Sequence, residues 1–139
     1  MSRAPLNKLL DTPILVDLVS FISTETGKDL ILSFAVVDPE EPTEIESLIL
    51  LRTPIYEQFL PAHERGVSVS FERHTDEDEH DLLEQVRWNE KAAILKLETQ
   101  LREYELDLRK VDKSSLRSMR KLLKKMNYDG RIQLVGVSE

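Results

Sequence analysis

Cysteine is absent from this chain of 139 residues. Without a thiol group, the protein has no thiolate zinc site, no iron–sulfur cluster, no cysteine nucleophile and no disulfide bond. Proteins that lack disulfides are typical of reducing compartments. The absence of cysteine therefore favours a cytoplasmic protein whose fold depends on a hydrophobic core.

Glycine is also scarce, with four residues in the whole chain. Neither the G-x-S-x-G turn of serine hydrolases nor the G-x-G-x-x-G turn of dinucleotide-binding domains occurs. Residues 26–29, Thr-Gly-Lys-Asp, resemble the end of a phosphate-binding loop, but the upstream glycine and the Ser or Thr after the lysine are missing. We therefore expect no catalytic residue and no cofactor site.

Long apolar runs are missing as well. The most apolar stretch, residues 14–22, is interrupted by Asp17 and Ser20. A membrane-spanning helix needs about 20 mostly apolar residues, and a signal peptide needs an apolar run behind a basic start. The sequence predicts neither segment, which again favours a cytoplasmic location.

The length fits a single domain covering residues 1–139. Residues 13–38 contain two runs rich in Val, Ile and Phe on either side of the polar turn 23–29, a pattern typical of a β-hairpin. The alternative for residues 13–23 is a helix with Thr12 as N-cap and Pro13 at the first helical position. The matching apolar run at 30–37 favours the hairpin.

Further strands follow from the apolar pattern. Residues 44–53 are predicted to form a strand, which Pro54 ends. After Gly66, the apolar residues Val67, Val69 and Phe71 alternate with serines, which predicts another strand. Val86 and Trp88 indicate another strand. Residues 95, 97, 99 and 101 are apolar or Thr in one phase of alternation, and residues 104, 106 and 108 continue in the opposite phase. This phase change predicts two strands joined by a turn near residue 102.

The character of the chain changes after residue 112. Within residues 113–126, apolar side chains at 116, 119, 122, 123 and 126 share one helical face. Asp112 or Ser114 can cap this helix, Asn127 and Gly130 can end it, and residues 132–137 read as a last strand. The sequence therefore predicts an α+β fold: an antiparallel sheet of six to eight strands, with one amphipathic C-terminal helix at about 113–126 packed on it before a last strand.

Charge is segregated along the chain. Residues 109–125 hold eight of the nineteen Lys and Arg residues and one acid, so that subtracting the segment's +7 from the total of −7 leaves −14 elsewhere. On the helical wheel the cations lie apart from the apolar stripe. We predict that this face binds a partner through Arg117, Arg120, Lys121, Lys124 and Lys125.

Three interpretations of the basic face remain open. It can be a solvated helix surface, a docking site for an acidic protein, or a site for nucleic acid or an anionic membrane surface. The net negative charge of the chain and the lack of interleaved aromatic residues disfavour nucleic acid. The acidic segment 74–81 could also fold over these cations and neutralise them.

Residues 54–65 fit neither a strand nor a full helix, and irregular connections on a rigid sheet often carry function. The candidates in this loop are Tyr56, Glu57, His63, Glu64 and Arg65. A histidine between carboxylates can act as a general acid or base, which makes a His-based hydrolase one alternative. The other reading is that Tyr56, Phe59 and Leu60 form a helical turn that covers a sheet edge.

The segment 74–81 offers His74, Asp76, Asp78, His80 and Asp81 as chemically suitable metal ligands. An EF-hand beginning at Asp76 would need Gly at its sixth position and Glu at its twelfth, where this chain has Asp81 and Arg87. We therefore predict no metal site. The sequence favours a non-enzymatic protein-binding domain of an adaptor, regulatory or inhibitory kind, with homo-oligomers possible through open sheet edges. A nucleic-acid-associated accessory protein and a metal-dependent or His-based hydrolase are the alternatives.

Overall fold

The computed structural model describes residues 16–74 and 80–137. Within them lie eight β-strands, the helical turn α1, a short 3-10 turn and the long helix α2. Their bounds are β1 Val16–Thr26, β2 Leu30–Val37, β3 Ile45–Arg52, α1 Pro54–Glu57, the 3-10 turn Ala62–Glu64, β4 Ser68–Phe71, β5 Leu83–Asn89, β6 Ile94–Thr99, β7 Glu103–Asp107, α2 Lys113–Met126 and β8 Gln133–Val135. The predicted α+β fold is confirmed.

The strands form one sheet in the order β4-β3-β2-β1-β7-β6-β5-β8. Strands β1 to β4 pair antiparallel with their neighbours in sequence, and so do β5 to β7. These two blocks meet through a parallel pair of β1 and β7, and β8 adds to β5 in parallel. The sheet is therefore mostly antiparallel but mixed. Each parallel pair is joined by a long connection, as parallel strands require.

The sheet also curls so that β4 approaches the start of β5. Ser68 forms an antiparallel bridge with Leu82. The Val69 amide donates to the Asp81 carbonyl at 2.9 Å, and the Leu83 amide donates to the Val67 carbonyl at 2.9 Å. Strands β1 to β7 thus close into a barrel, and β8 lies beyond the closure on β5. Closure pairs the backbone groups that an open sheet would leave at its edges.

The hairpin at the start of the sheet is confirmed, since β1 and β2 pair antiparallel from Val19 with Val36 to Thr26 with Leu30. The helix alternative does not hold for residues 16–23. The phase change near residue 102 is also confirmed: β6 and β7 are antiparallel neighbours, and the Thr99 amide donates to the Arg102 carbonyl at 2.8 Å. One detail was wrong. Leu101 lies in the turn and is 55% exposed instead of continuing the buried row.

Helix α2 has the predicted bounds. Its N-cap is Asp112, whose side chain accepts a hydrogen bond from the Ser115 amide at 3.1 Å, and Asn127 is its C-cap. The buried stripe packs into the same hydrophobic core as the barrel strands, with α2 contacting β1 and β2. The buried helical side chains are Met119, Leu122, Leu123 and Met126. Neither helix in the described part of the chain has the length and apolarity that crossing a membrane requires.

Candidate partner-binding surface

The cations of α2 lie on the side of the helix that faces away from the barrel. Arg117, Lys121, Lys124 and Lys125 are exposed, and Arg120 is half-buried. Among residues 16–74 and 80–137, no acidic side chain forms a salt bridge with any of the five. The structure therefore brings the five predicted contact residues together on one helix, with four of their charged groups open to solvent.

Most of the acidic segment lies outside the described residues, which end at 74 and resume at 80, so Asp76 and Asp78 are not placed. At its near end, His74 packs against the rings of Phe71 and Tyr104, with centroids 5.6 and 6.2 Å apart. At its far end His80 is exposed and Asp81 is buried. Across the described ranges, no three His, Asp or Glu residues lie where they could hold a metal ion together.

Asp81 has a structural role instead. Its carboxylate accepts hydrogen bonds from the Thr99 hydroxyl at 2.7 Å and from the Leu101 amide at 3.0 Å. Buried carboxylates require such donors to offset the loss of water. This candidate ligand therefore fixes the turn between β6 and β7.

The five loop candidates do not form one cluster, because Glu57 is buried while Tyr56 is 63% exposed. The His63 side chain is 80% exposed and lies 3.7 Å from the Glu64 carboxylate. His63 and Arg65 line an open depression of about 250 Å³ beside Arg131. The Arg65 guanidinium is used locally, since its Nε donates to the Leu60 carbonyl at 2.9 Å.

The partner of Glu57 is Arg52, the last residue of β3, whose side chain is fully buried. Arg52 Nε and Nη2 donate to the two Glu57 carboxylate oxygens at 2.8 and 2.9 Å. Nη1 and Nη2 donate to the two Asp129 oxygens at 3.0 and 2.7 Å, and Nη1 also donates to the Met126 carbonyl at 2.7 Å. All five guanidinium N–H groups are therefore satisfied, which is the condition for burying an arginine.

Tyr128 completes this arrangement. The Arg52 guanidinium lies over the Tyr128 ring, 4.2 Å from its centroid, and the Tyr128 hydroxyl donates to Glu57 Oε1 at 3.0 Å. A cation over an aromatic face adds attraction to the ion pairs. We call this set of contacts the Arg52 network; it consists of Arg52, Glu57, Tyr128, Asp129 and the Met126 carbonyl.

The Arg52 network shifts the pKa of its members. Burial acts to raise the pKa of Glu57, but the hydrogen bonds and charge of Arg52 outweigh it and hold that pKa below its ordinary value. Hydrogen bonds from Arg52 lower the pKa of Asp129 further, against a smaller opposing effect of burial. Burial acts to lower the pKa of Arg52, yet the two carboxylates raise it. The network is therefore held in its ionised form.

Sequence reasoning missed Arg52, although a signal was present. Leu48 and Leu50 are buried, and alternation places residue 52 on the same face of β3. Arginine at a strand end ordinarily turns to solvent, and its partner Asp129 is 77 residues away. The alternation that places residue 52 on the buried face of β3 was therefore the only sign in the sequence that Arg52 would be buried.

The Arg52 network anchors a segment with exposed apolar side chains. Nine large hydrophobic residues are exposed among the described residues, and four of them fall within residues 55–60. We call these four, Ile55, Tyr56, Phe59 and Leu60, the apolar ridge; Ile55 is 50% exposed and Phe59 is 76% exposed. Such a concentration is unusual, because exposed apolar residues are ordinarily scattered singly.

The predicted helical turn is present, since the Phe59 amide donates to the Tyr56 carbonyl and the Leu60 amide to the Glu57 carbonyl at 3.1 and 3.0 Å. The turn does not bury its apolar residues against a sheet edge, however. The exposed fraction is at least 37% for each of the four ridge side chains.

Comparisons with known proteins identify no relative: no family model, no curated protein and no solved structure matched this chain.

Proposed function

We propose that this chain is a protein-binding domain of an adaptor, regulatory or inhibitory kind, which docks an acidic partner on the outer face of α2. The observation that carries the proposal is the set of exposed cations on α2, which form no ion pair with a described acidic residue. Residues 113–126 hold six Lys and Arg residues and no acid, and subtracting +6 from the total of −7 leaves −13 on the remainder.

Helix stability does not account for this arrangement. Arg117, Lys121 and Lys125 follow one another at intervals of four residues, and like charges at that spacing destabilise a helix by about 0.2–0.5 kcal/mol per pair. The helix dipole favours cations in the last turn, which includes Lys124 and Lys125, but its effect fades beyond that turn. A bound acidic partner would remove the repulsion along the whole face.

The negative charge on the rest of the chain would help to orient an acidic partner toward α2. Exposed charges act mainly within a Debye length of about 8 Å at physiological ionic strength. An acidic protein approaching α2 therefore meets the local cations, while approach to other faces meets net negative charge. Electrostatics of this kind raises association rates and selects the docking face.

The test compares three forms of the full chain as baits for quantitative affinity capture from a lysate of the source cell. The helix variant R117Q/K121Q/K124Q/K125Q neutralises the four exposed cations, and glutamine keeps high helix propensity. The control R87Q/K91Q/K96Q/K110Q neutralises four exposed cations elsewhere, so both variants have a formal net charge of −11. Circular dichroism checks that all three forms are equally folded.

We expect acidic proteins that the wild type and the control retain and the helix variant loses by tenfold or more. Equal retention by all three forms would refute the role of the helix face. A parallel anisotropy titration with a labelled DNA duplex at about 50 mM salt distinguishes nucleic acid, because phosphate contacts would give steep salt-dependent binding that the helix variant alone lacks.

A further inference from the structure

The apolar ridge and the end of the basic helix meet at the same end of the barrel. Arg52 links the two, because its guanidinium binds Glu57, which lies between the ridge residues Tyr56 and Phe59, and also binds the Met126 carbonyl at the end of α2. Tyr128, which follows the helix by two residues, is 55% exposed and donates its hydroxyl to Glu57. The ridge therefore lies beside the C-terminal end of α2, whose last turn contains Lys124 and Lys125.

A second set of contacts fixes the same neighbourhood. The Arg131 guanidinium donates to the carbonyls of Ala62 and Arg65 at 2.8 and 3.3 Å, and its Nε donates to Asp129 at 2.7 Å. Residues 54–65 are thus tied to residues 126–131 at both ends. The ridge is presented on a supported backbone, which reduces the conformational entropy that binding would remove.

We infer that the partner presents a short amphipathic peptide segment, whose bulky apolar side chains cover the ridge and whose carboxylates face the cations at the end of α2. This inference rests on the proposed function and specifies the partner's chemistry. Aromatic residues and arginine dominate the binding energy of protein interfaces, and Tyr56, Phe59 and Tyr128 supply exposed aromatic area here. Lys124 and Lys125, in the last turn of α2, provide the charge complementarity.

A peptide segment fits this surface better than an anionic bilayer. A flat bilayer would face a larger area of the domain than α2 alone, and the chain outside residues 113–126 carries a formal charge of −13, which such a surface repels wherever these acids lie within a Debye length of it. A segment of about ten residues contacts only the ridge and the adjacent helix end. Its carboxylates therefore experience mainly the local cations.

The experiment is selection of peptides from a displayed library of random 12-residue sequences on the immobilised full-length chain. Enriched peptides are synthesised, and their Kd values are measured against the wild type, Y56A/F59A, the helix variant R117Q/K121Q/K124Q/K125Q, and F21A. Phe21 lies on β1, outside the ridge, and is 54% exposed. F21A is therefore the control for the loss of an exposed aromatic side chain. Thermal unfolding checks the fold of each variant.

We expect enriched peptides that combine Asp or Glu with large apolar residues, and a loss of affinity of tenfold or more in Y56A/F59A and in the helix variant, with F21A unchanged. Acidic peptides that lose affinity in the helix variant but not in Y56A/F59A would refute the inference and leave the proposed function standing. Apolar peptides unaffected by the helix variant would refute both the amphipathic segment and the role of the helix. Failure to enrich any peptide, or tight binding to phosphatidylserine vesicles that Y56A/F59A abolishes, would also overturn the inference.

Discussion

At the scale of single residues, Gly136 has the most constrained backbone position among the four glycines. Its φ angle is 75°, and a Cβ atom placed there would collide with the carbonyl oxygen of Trp88. We predict that G136A destabilises the protein by about 3 kcal/mol, since left-handed backbone alone costs about 1–2 kcal/mol and the collision displaces β8 from β5. Urea unfolding measures the change.

The matched control for this prediction is G130A. Gly130 also has a positive φ, 73°, but a Cβ atom there meets no atom within 4 Å. G130A therefore incurs the backbone strain without the collision, and we expect a loss of about 1 kcal/mol. Equal losses in the two variants would show that close packing against Trp88 contributes nothing.

At the scale of elements, the position of residues 54–65, which carry the apolar ridge, depends on the Arg52 network. We predict that E57Q lowers the free energy of unfolding by about 3 kcal/mol, because it removes a charged partner from a buried guanidinium while keeping the side-chain shape. Hydrogen exchange of the Phe59 and Leu60 amides should also become faster. The control is E64Q, at a half-buried glutamate whose one ion-pair contact among the described residues is exposed His63, and a change within about 0.5 kcal/mol is expected there. Similar losses in both variants would contradict the prediction.

Local patterns predicted the elements well, and for a physical reason. Helix α2 combines a capping aspartate with apolar residues at helical spacing, so local and tertiary preferences agree. The β6–β7 turn could be predicted because the alternation of apolar and polar residues changes phase between the two strands. The Arg52 network could not be derived in this way, since Glu57 and Asp129 lie 5 and 77 residues from Arg52 and only the folded barrel brings them together. The irregular connection at residues 54–65 was therefore predicted correctly, whereas its division into buried and exposed residues was not.

At the scale of the whole molecule, sequence reasoning reached the fold class but not the closure of the sheet. The expected hairpin at residues 13–38 and the two strands joined near residue 102 pair as predicted, and antiparallel pairing of neighbours extends through β1–β4 and β5–β7. The parallel pairs β1–β7 and β5–β8, and the bridge from Ser68 to Leu82, join parts of the chain that local periodicity does not connect. These long-range pairings place β3 and the end of α2 within reach of each other, and so create the surface on which both proposals depend.

The ion pairs that form in the folded protein also make its free energy of unfolding depend on pH in the acidic range. Folding lowers the pKa of Glu57 and of Asp129 through their hydrogen bonds with Arg52, against the opposing effect of burial, and lowers that of Asp107 through its hydrogen bond with Arg109. A carboxylate with a lower pKa in the folded state stabilises the protein above its unfolded pKa of about 4, and this contribution disappears as pH falls toward the folded pKa. With every carboxylate protonated, 19 Lys and Arg and 3 His residues would also leave a formal charge of +22.

We therefore predict that the free energy of unfolding falls steadily as pH decreases below about 5, and that D129N changes the shape of this curve. The difference between wild type and D129N should be largest near pH 7, where Asp129 is ionised and bound to Arg52. It should shrink as pH falls below about 4, because the wild type then loses by protonation what the variant already lacks. Urea unfolding at a series of pH values measures both curves. A difference that stays constant between pH 7 and pH 2 would show that Asp129 stabilises the barrel through its shape and not through its charge.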